Sequence, residues 1–426
     1  MRRTNRGIIT RIIPSTSEGW VQDRMKVTEV KLFIVNKPGS VAWGQGNKNN
    51  YIIVKVLTDE GLYGVGEAFH SLEEPVEGCI AKYRRWLIGQ DPTRVIRNWE
   101  ALYRGLRYPA GTAELSALAA VEQALWDISG KACGLPVYKM LGGPCRDKIR
   151  VYASRWPDAC EGLPLDEQAK VVVEHGWTAF KYSPQVWDYE AEPQPSLGIR
   201  SPEKSSWQSL QEEIERVQIV REAVGDDIDI CLDYHGRSFS AADAIRLARA
   251  IEPFHPFFLE EPALTENPDA LVDVKRQTSI PIAGGERVIH RDVFKQVIEK
   301  RAVDIIQLEP TACGGILETV KRAAMAELYH IMLAPHQACG TIALAACAHI
   351  DAVVPNFLIQ ECNVDPQADF ERELFCGGPT IENGWMALPE GPGLGVDFNE
   401  DVALAYPAKP WDRPVIINPD GSIGLE

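Results

Sequence analysis

Six ionisable side chains recur along the second half of the chain, each at the end of a short apolar run. They are Asp233, Glu260, Glu286, Glu309, His336 and Glu361. Neighbours are separated by about 23 to 27 residues, the length of one strand and one helix in a parallel α/β fold. In a β/α barrel the C-terminal ends of successive strands meet at one rim, which is where active sites lie. The pattern therefore predicts that these side chains share one site.

Three carboxylates belong to consecutive predicted strands: Asp233, Glu260 and Glu286. Carboxylates that converge at one rim repel one another unless a cation lies between them. An all-oxygen set with no cysteine or clustered histidine favours Mg²⁺ over Zn²⁺. The alternative is that each acid only caps the helix after its strand. We expect a magnesium site, with Glu261 salt-bridged or in a supporting position beside it.

Two histidines accompany these acids. His336 follows the seventh predicted strand, beside Glu309 on the sixth, and a neighbouring carboxylate fixes an imidazole's tautomer and raises its pKa. His235 lies two residues after Asp233, so extended backbone would project both side chains to one side. A lone histidine is more often structural, and the chain's other histidines receive no functional interpretation.

A base beside Mg²⁺ suits removal of the proton on the carbon next to a carboxylate, because the metal stabilises the enediolate that forms. A second imidazole, His235, would then protonate a departing β-hydroxyl group, which makes the reaction a dehydration. Glu361, if protonated, would donate a hydrogen bond to the substrate carboxylate.

The remaining sequence supplies the elements that must position this site. The predicted fold is α/β, a (β/α)7–8 TIM-type barrel with an N-terminal α+β capping domain completed by the C-terminal segment. The predicted divisions are a flexible extension (1–24), the capping domain (25–147) with a lid loop (36–50), the barrel (148–375) interrupted by an insertion (183–207), and the returning C-terminal segment (376–426).

Three helices are predicted from apolar periodicity. Their expected buried stripes are Leu118, Val121, Leu125 and Ile128, with an end at Gly130; Ala244, Leu247, Ala248 and Ile251, after a capping Ser240; and Leu317, Val320, Ala324 and Leu328.

Composition limits the partners. The 426 residues suffice for a barrel of about 250 residues and a second domain. A net charge of −16 disfavours nucleic acid and anionic membranes as partners, while a bound cation still permits an anionic substrate. Ten cysteines without a C-x-x-C pair predict reduced thiols in a cytoplasmic protein. No apolar run approaches the roughly 18 residues of a membrane span.

These motifs resemble the enolase superfamily, mandelate racemase subgroup, and within it the galactonate dehydratases. The matching stretches are residues 232–237, 258–262, 283–287, 333–336 and 358–361. The resemblance implies a Mg²⁺-dependent dehydratase that converts a sugar acid such as galactonate to a 2-keto-3-deoxy acid, and a homo-oligomer.

The resemblance also implies roles for single residues. Asp233, Glu260 and Glu286 would bind Mg²⁺; His336 with Glu309 would be the base; His235 would be the acid; Glu361, Lys181 and Ser183 would contact the substrate. Two positions depart from the family pattern. Ser183 stands where racemising and lactonising members have lysine and galactonate enzymes have asparagine, and Glu309 stands where aspartate is usual. The alternatives are a racemase or epimerase of the same superfamily and a catalytically silent barrel.

Overall fold

The structure is a computed structural model that describes residues 25–38, 50–154, 156–185, 189–191, 197–200, 206–236, 238, 240–366, 368–409, 415–418 and 420–424. The predicted extension (1–24), most of the predicted lid loop (39–49) and parts of the predicted insertion lie outside the described residues.

The N-terminal part is an antiparallel sheet covered by helices. Its elements are β1 (Val27–Asn36), β2 (Asn50–Thr58), β3 (Tyr63–Ala68), α1 (Glu73–Leu87), α2 (Val95–Arg104), α3 (Thr112–Cys133) and α4 (Val137–Met140). The β-branched residues of β1 and β2 favour this strand pairing. We call this unit the cap.

Helix α3 lies against β3 at unusually short range. A Cβ on Gly64 would lie 2.0 Å from the carbonyl oxygen of Ala124, so only glycine permits this approach. The predicted apolar stripe of α3 is buried, as expected. The predicted end at Gly130 is wrong, because α3 continues to Cys133 and ends at Gly134 in the left-handed conformation.

The second part alternates strands and helices. Its strands in chain order are β4 (Lys148–Ala153), β5 (Ala179–Tyr182), β6 (Tyr189–Ala191), β7 (Leu197–Arg200), β8 (Asp229–Asp233), β9 (Phe258–Glu260), β10 (Ile282–Gly284), β11 (Ile305–Ile306), β12 (Met332–Leu333) and β13 (Gln360–Cys362). Its helices are α5 (Leu165–Glu174), α6 (Ser206–Val224), α7 (Ala241–Ile251), α8 (Pro268–Lys275), α9 (Arg291–Lys300), α10 (Ile316–Glu327) and α11 (Thr341–Val353).

Apart from the β6–β7 hairpin, these strands form the predicted parallel barrel. The order is β4-β5-β8-β9-β10-β11-β12, and β13 pairs with β4. A parallel bridge between Leu333 and Phe357 links β12 to the segment just before β13 and closes the ring. The helices cover the outside, as the right-handed crossovers of a parallel sheet require.

Two helix predictions have opposite outcomes. The stripe of α7 is buried as predicted, and the Ser240 hydroxyl caps the helix by accepting from the Ala242 N–H. The stripe of α10 is wrong: Leu328 is 81% exposed, whereas the charged pair of Glu318 and Arg322 is buried with a 3.1 Å contact. The buried face of α10 is the opposite one, where this ion pair lies with Ile316, Thr319, Ala323 and Ala326.

The chain after β13 contacts both the cap and the barrel. It comprises α12 (Asp369–Leu374), β14 (Phe375–Gly377), β15 (Ile381–Glu382), β16 (Trp385–Ala387), β17 (Val396–Phe398), α13 (Glu400–Ala405) and β18 (Val415–Ile417). Strand β16 pairs with β4 of the barrel, and Glu400 of α13 pairs with Lys55 of the cap at 2.6 Å. No helix in the described ranges combines the length and the apolar character needed to cross a membrane.

Candidate active site at the barrel rim

Two layers of side chains line the barrel interior. The lower layer is apolar and takes one residue from each strand or its flank: Tyr152, Ala179, Cys231, Phe258, Ala283, Ile305, Ala334 and Ile359. Side chains alternate along a strand, so the residue two positions later faces the same interior one layer higher. Those positions are Ser154, Lys181, Asp233, Glu260, Gly285, Gln307, His336 and Glu361. An apolar floor therefore lies beneath a polar rim that contains most of the predicted site.

Lys181 is the centre of the charges on one side of the rim. Its ammonium lies 3.0 Å from Asp233, 3.0 Å from Glu260 and 2.8 Å from Glu361. Burial opposes the charge, but these three carboxylates hold the pKa of Lys181 well above its usual value. Burial, together with the charge of Asp233, raises the pKa of Glu260 to about 8. Three acidic groups therefore face one ammonium group, which can neutralise only one negative charge.

Glu286 reaches the rim by a different route, because it is not in register with the polar layer. Gly285 precedes it with φ +141°, and a Cβ there would lie 2.9 Å from the backbone nitrogen of Gln307. The glycine turns the chain so that the Glu286 carboxylate lies 3.1 Å from His336 Nε2 and 3.2 Å from Arg287. Although burial opposes ionisation, the charge of His336 lowers the pKa of Glu286 to about 2. Arg287 also pairs with Glu261, as the expected salt bridge requires.

His336 and Glu309 are in direct contact. His336 Nδ1 lies 2.8 Å from Glu309 Oε2, and the other oxygen, Oε1, accepts hydrogen bonds from the Thr311 N–H at 2.8 Å and the Thr311 hydroxyl at 2.6 Å. The longer glutamate side chain therefore still reaches the imidazole. Burial would lower the pKa of His336, but Glu361 and Glu286 hold it well above its usual value. Nδ1 is engaged by Glu309, and Nε2, which lies 3.1 Å from Glu286, is the nitrogen on the side of the proposed metal ligands.

His235 does not continue the strand. Strand β8 ends at Asp233, and His235 lies in the left-handed region at φ +49°, so the expectation of extended backbone between the two residues is wrong. The chain turns instead, and the Asp233 carboxylate accepts the His235 N–H at 3.0 Å while His235 Nδ1 lies 3.2 Å from the same oxygen. Both side chains still lie together, because the tight turn brings them there.

Glu361 is held as a carboxylate. Although burial opposes ionisation, Lys181 and His336 lower its pKa below the usual value, and its Oε2 accepts the Gln337 N–H at 3.0 Å. This differs from the protonated Glu361 considered from the sequence. Ser183, just past β5, is buried, and its hydroxyl has no hydrogen-bond partner among the described residues.

Gln307 was missed by the sequence analysis. It is fully buried in the polar layer, and neither atom of its amide has a hydrogen-bond partner within the described part of the chain. The signal was available, because Gln307 stands two residues after the apolar Ile305 of β11. Attention to charged groups alone passed over a neutral amide at the same rim.

The donor set fits a hard divalent cation in chemistry and in charge. Asp233, Glu260 and Glu286 offer only oxygen atoms, which Mg²⁺ prefers, and the rim carries more acidic than basic groups. Among the described residues, however, no three acidic, histidine or cysteine side chains surround a single point closely enough to hold an ion. Lys181 instead neutralises two of the acids that a cation would bind.

Two family models match most of the chain. Residues 24–142 match the family described as mandelate racemase/muconate lactonizing enzyme, N-terminal domain, and residues 165–402 match the family described as enolase C-terminal domain-like. D-galactonate dehydratase of Ralstonia nicotianae is 37% identical over 381 residues, covering 88% of this chain and 96% of the relative.

Two solved structures have the same architecture. An enolase from Pantoea ananatis with bound D-gluconate and Mg is 29% identical, with a TM-score of 0.81 over 94% of this chain and 100% of that one. An enolase from Agrobacterium radiobacter with bound Na and L-malate is 30% identical, with a TM-score of 0.81 and the same two coverages, 94% and 100%.

Proposed function

Because this chain belongs to the mandelate racemase/muconate lactonizing enzyme family of the enolase superfamily, we propose that it is a Mg²⁺-dependent sugar-acid dehydratase. It is a hydro-lyase that removes the proton α to the carboxylate of an aldonate and eliminates the β-hydroxyl group, giving a 2-keto-3-deoxy acid. D-Galactonate is the favoured substrate, since similarity to D-galactonate dehydratases extends over 88% of the chain. The contact of His336 with Glu309 beside an acid-rich rim is the observation that carries the proposal.

Asp233, Glu260 and Glu286 are the residues proposed to bind Mg²⁺. When bound, Mg²⁺ withdraws charge from the substrate carboxylate and so makes the neighbouring C–H bond more acidic. Without the ion, Lys181 neutralises two of these acids, Asp233 and Glu260. With the ion present, we propose that its ammonium group binds the substrate carboxylate. Ser183 and Glu361 are the further proposed substrate contacts.

His336 is the proposed base. Glu309 fixes Nδ1 as the protonated nitrogen, so Nε2 accepts the α-proton from C2. The electron pair of that C–H bond forms the C2=C3 bond as the C3–oxygen bond breaks, and His235 donates the proton with which the hydroxyl group leaves as water. The resulting enol becomes the 2-keto product by taking a proton at C3 and losing the proton of its C2 hydroxyl group.

The setting of the enzyme is also part of the proposal. We place it in the cytoplasm, in the breakdown of sugar acids, as a homo-oligomer without nucleic-acid or membrane partners. The divisions at residues 25–147, 148–375 and 376–426 and an extension over residues 1–24 remain predictions.

A substrate screen tests the function. Purified protein with Mg²⁺ is incubated with D-galactonate and a panel of other aldonates and aldarates, and 2-keto-3-deoxy products are measured. We expect the product from D-galactonate. Exchange of the α-proton without loss of water would indicate a racemase or epimerase, and no turnover of any sugar acid would indicate a catalytically silent barrel.

A further inference from the structure

The helices that follow Glu309 and His336 have no capping side chains of their own. Helix α10 begins after Gly315 and α11 after Gly340, and neither glycine can accept the free N–H groups of a first helical turn. The groups that accept them are two carboxylates from the cap, which is a different part of the chain.

Glu67 of β3 caps α11. Its Oε1 accepts the Gly340 N–H at 2.7 Å and its Oε2 accepts the Ala343 N–H at 3.0 Å. A capping box satisfies the same two donors with side chains of the helix itself. A Cβ at residue 340 would lie 2.8 Å from Glu67 Oε1, so glycine makes room for the carboxylate.

Glu122 of α3 caps α10 in the same way. Its two oxygens accept the N–H groups of Ile316 at 2.8 Å and Leu317 at 2.9 Å, and Trp126 Nε1 donates to it at 2.7 Å. A Cβ on Gly315 would lie 2.3 Å from the same carboxylate. Both acids are about 1% exposed, so solvent does not replace these bonds.

Short, cross-linked loops connect the capped helices to Glu309 and His336, which we call the catalytic pair. Thr311 donates twice to Glu309, and its hydroxyl lies 3.4 Å from the Cys339 thiol in the other loop. The Gln337 side-chain amide donates to the carbonyl of Cys339 at 2.7 Å and to that of Gly340 at 3.1 Å. A displacement at the start of either helix is therefore passed to the imidazole or its carboxylate.

We propose that Glu67 and Glu122 are positioning residues, through which the cap fixes the distance between His336 and Glu309. Neither acid touches the substrate. Each acts by holding the first turn of the helix that follows one member of the catalytic pair. This inference rests on the proposed function for its kinetic consequence but not for its geometric one.

The test compares Glu67→Gln and Glu122→Gln with a matched control, Asp127→Asn. Asp127 is an equally buried acid on α3 that accepts the N–H groups of Val65 at 3.0 Å and Leu394 at 2.9 Å, and it caps neither helix. Burial raises the pKa of Glu67 to about 8 and that of Glu122 to about 7. Assays at about pH 9 therefore compare ionised carboxylates with amides.

Two quantities are measured. With Mg²⁺ and substrate, kcat of each glutamine variant should fall about 10- to 100-fold while KM stays within about twofold, because a small misplacement of the base slows chemistry without weakening binding. In protein without metal or substrate, the proton NMR resonance of His336 Nδ1–H, assigned by its loss in His336→Asn, should shift. Asp127→Asn should change neither quantity.

Gly340→Ala is the second variant, and it decides the matter if a glutamine variant does not fold. The added methyl group would lie 2.8 Å from Glu67 Oε1 and 2.9 Å from the Tyr51 ring, so it displaces the Glu67 carboxylate and keeps its charge but also presses on this ring. The φ of −86° at this position suits alanine. We expect a shifted resonance and a lower kcat. An unshifted resonance and unchanged kcat in the variants at positions 67, 122 and 340 would overturn the proposal. If the wild-type enzyme is inactive on every sugar acid, the proposed function is wrong. The NMR resonance of His336 would still test whether Glu67 and Glu122 position the imidazole.

Discussion

The two sides of the barrel rim hold their functional residues in different ways. Helices α7 and α8 follow the strands of Asp233 and Glu260, and their own residues cap them: Ser240 accepts the Ala242 N–H at 3.2 Å, and Asn267 accepts the Asp269 N–H at 3.1 Å. Helices α10 and α11 follow Glu309 and His336 and start after glycines. The side chains that cap them, Glu122 and Glu67, belong to the N-terminal cap domain. Asp233 and Glu260 are thus positioned by the barrel alone, whereas His336 and Glu309 also depend on the cap domain. Helix α9, which follows Glu286, begins after His290 without a side-chain cap.

The largest effect is expected from breaking the catalytic pair. His336→Asn removes the proposed base, and a general base contributes about 10²- to 10⁴-fold to the rate. Turnover should fall by that amount, as measured by product formation from D-galactonate. Magnesium affinity, measured by calorimetry, should remain close to wild type because His336 is not among the proposed ligands. Normal turnover in this variant would exclude His336 from the mechanism.

The proposed metal site is tested by the effect of Mg²⁺ on the free energy of unfolding. A ligand at 100 times its Kd stabilises the folded state by about 2.7 kcal/mol, so saturating Mg²⁺ should raise the free energy of unfolding by that order and EDTA should remove the gain. Glu260→Gln should lose this response to Mg²⁺. If Mg²⁺ stabilises the variant and the wild type equally, Glu260 is not a ligand.

The tie between α11 and the cap predicts a pH effect. His349 of α11 is buried, and its Nδ1 accepts the Tyr138 N–H of the cap at 3.2 Å. Burial lowers its pKa from the ordinary 6.5 to about 4. The unfolded chain therefore binds a proton first, and the stability that neutral His349 contributes is complete above about pH 6.5 and is lost as pH falls towards 4.

This loss approaches roughly 1 kcal/mol per pH unit. It is measured by denaturant unfolding of the wild type and of His349→Gln between pH 7 and pH 5. Taking the difference between the two proteins removes the contribution of carboxyl groups that titrate in both. The wild type should lose more stability than the variant over this range. Parallel losses in both proteins would show that burial does not lower the pKa of His349.

The smallest effect is expected from loss of the helix cap on α7, which follows Asp233. Ser240→Ala removes a cap on the metal side, which should lower the free energy of unfolding by about 1 kcal/mol. Turnover should not change, because Ser240 touches neither the cap nor the catalytic pair. A loss of turnover similar to that expected for Glu67→Gln would mean that any helix cap at the rim matters equally, and the contrast between the two sides would disappear.

The barrel and the identity of its rim residues could be predicted because both follow from local sequence. The strand-and-helix spacing placed Asp233, Glu260, His336 and Glu361 at strand ends, and the period of two placed them above an apolar layer. The turn at His235 was not predictable in this way, since a residue other than glycine rarely has a positive φ, although histidine is among the types that adopt it more often.

Contacts between distant parts of the chain were not readable either. Glu122 reads as one more polar residue on a helix, yet it lies buried against the start of α10, 194 residues away. The α10 stripe failed for the same reason, because Glu318 is buried by contacts with Arg322 and with Arg291 at 2.6 Å. Lys181 gave no sign in sequence that it would join three acids. Burial of a charge depends on partners that only the fold brings together.

In the proposed mechanism His336, beside a Mg²⁺ site formed by Asp233, Glu260 and Glu286, breaks the C–H bond next to a sugar acid's carboxylate. The most direct measurement compares D-galactonate with D-galactonate deuterated at C2, using the wild-type enzyme with and without Mg²⁺. We predict slower turnover of the deuterated substrate with Mg²⁺ and no turnover of either without it. Turnover that persists in EDTA, or deuterium at C2 retained in a dehydrated product, would contradict the account.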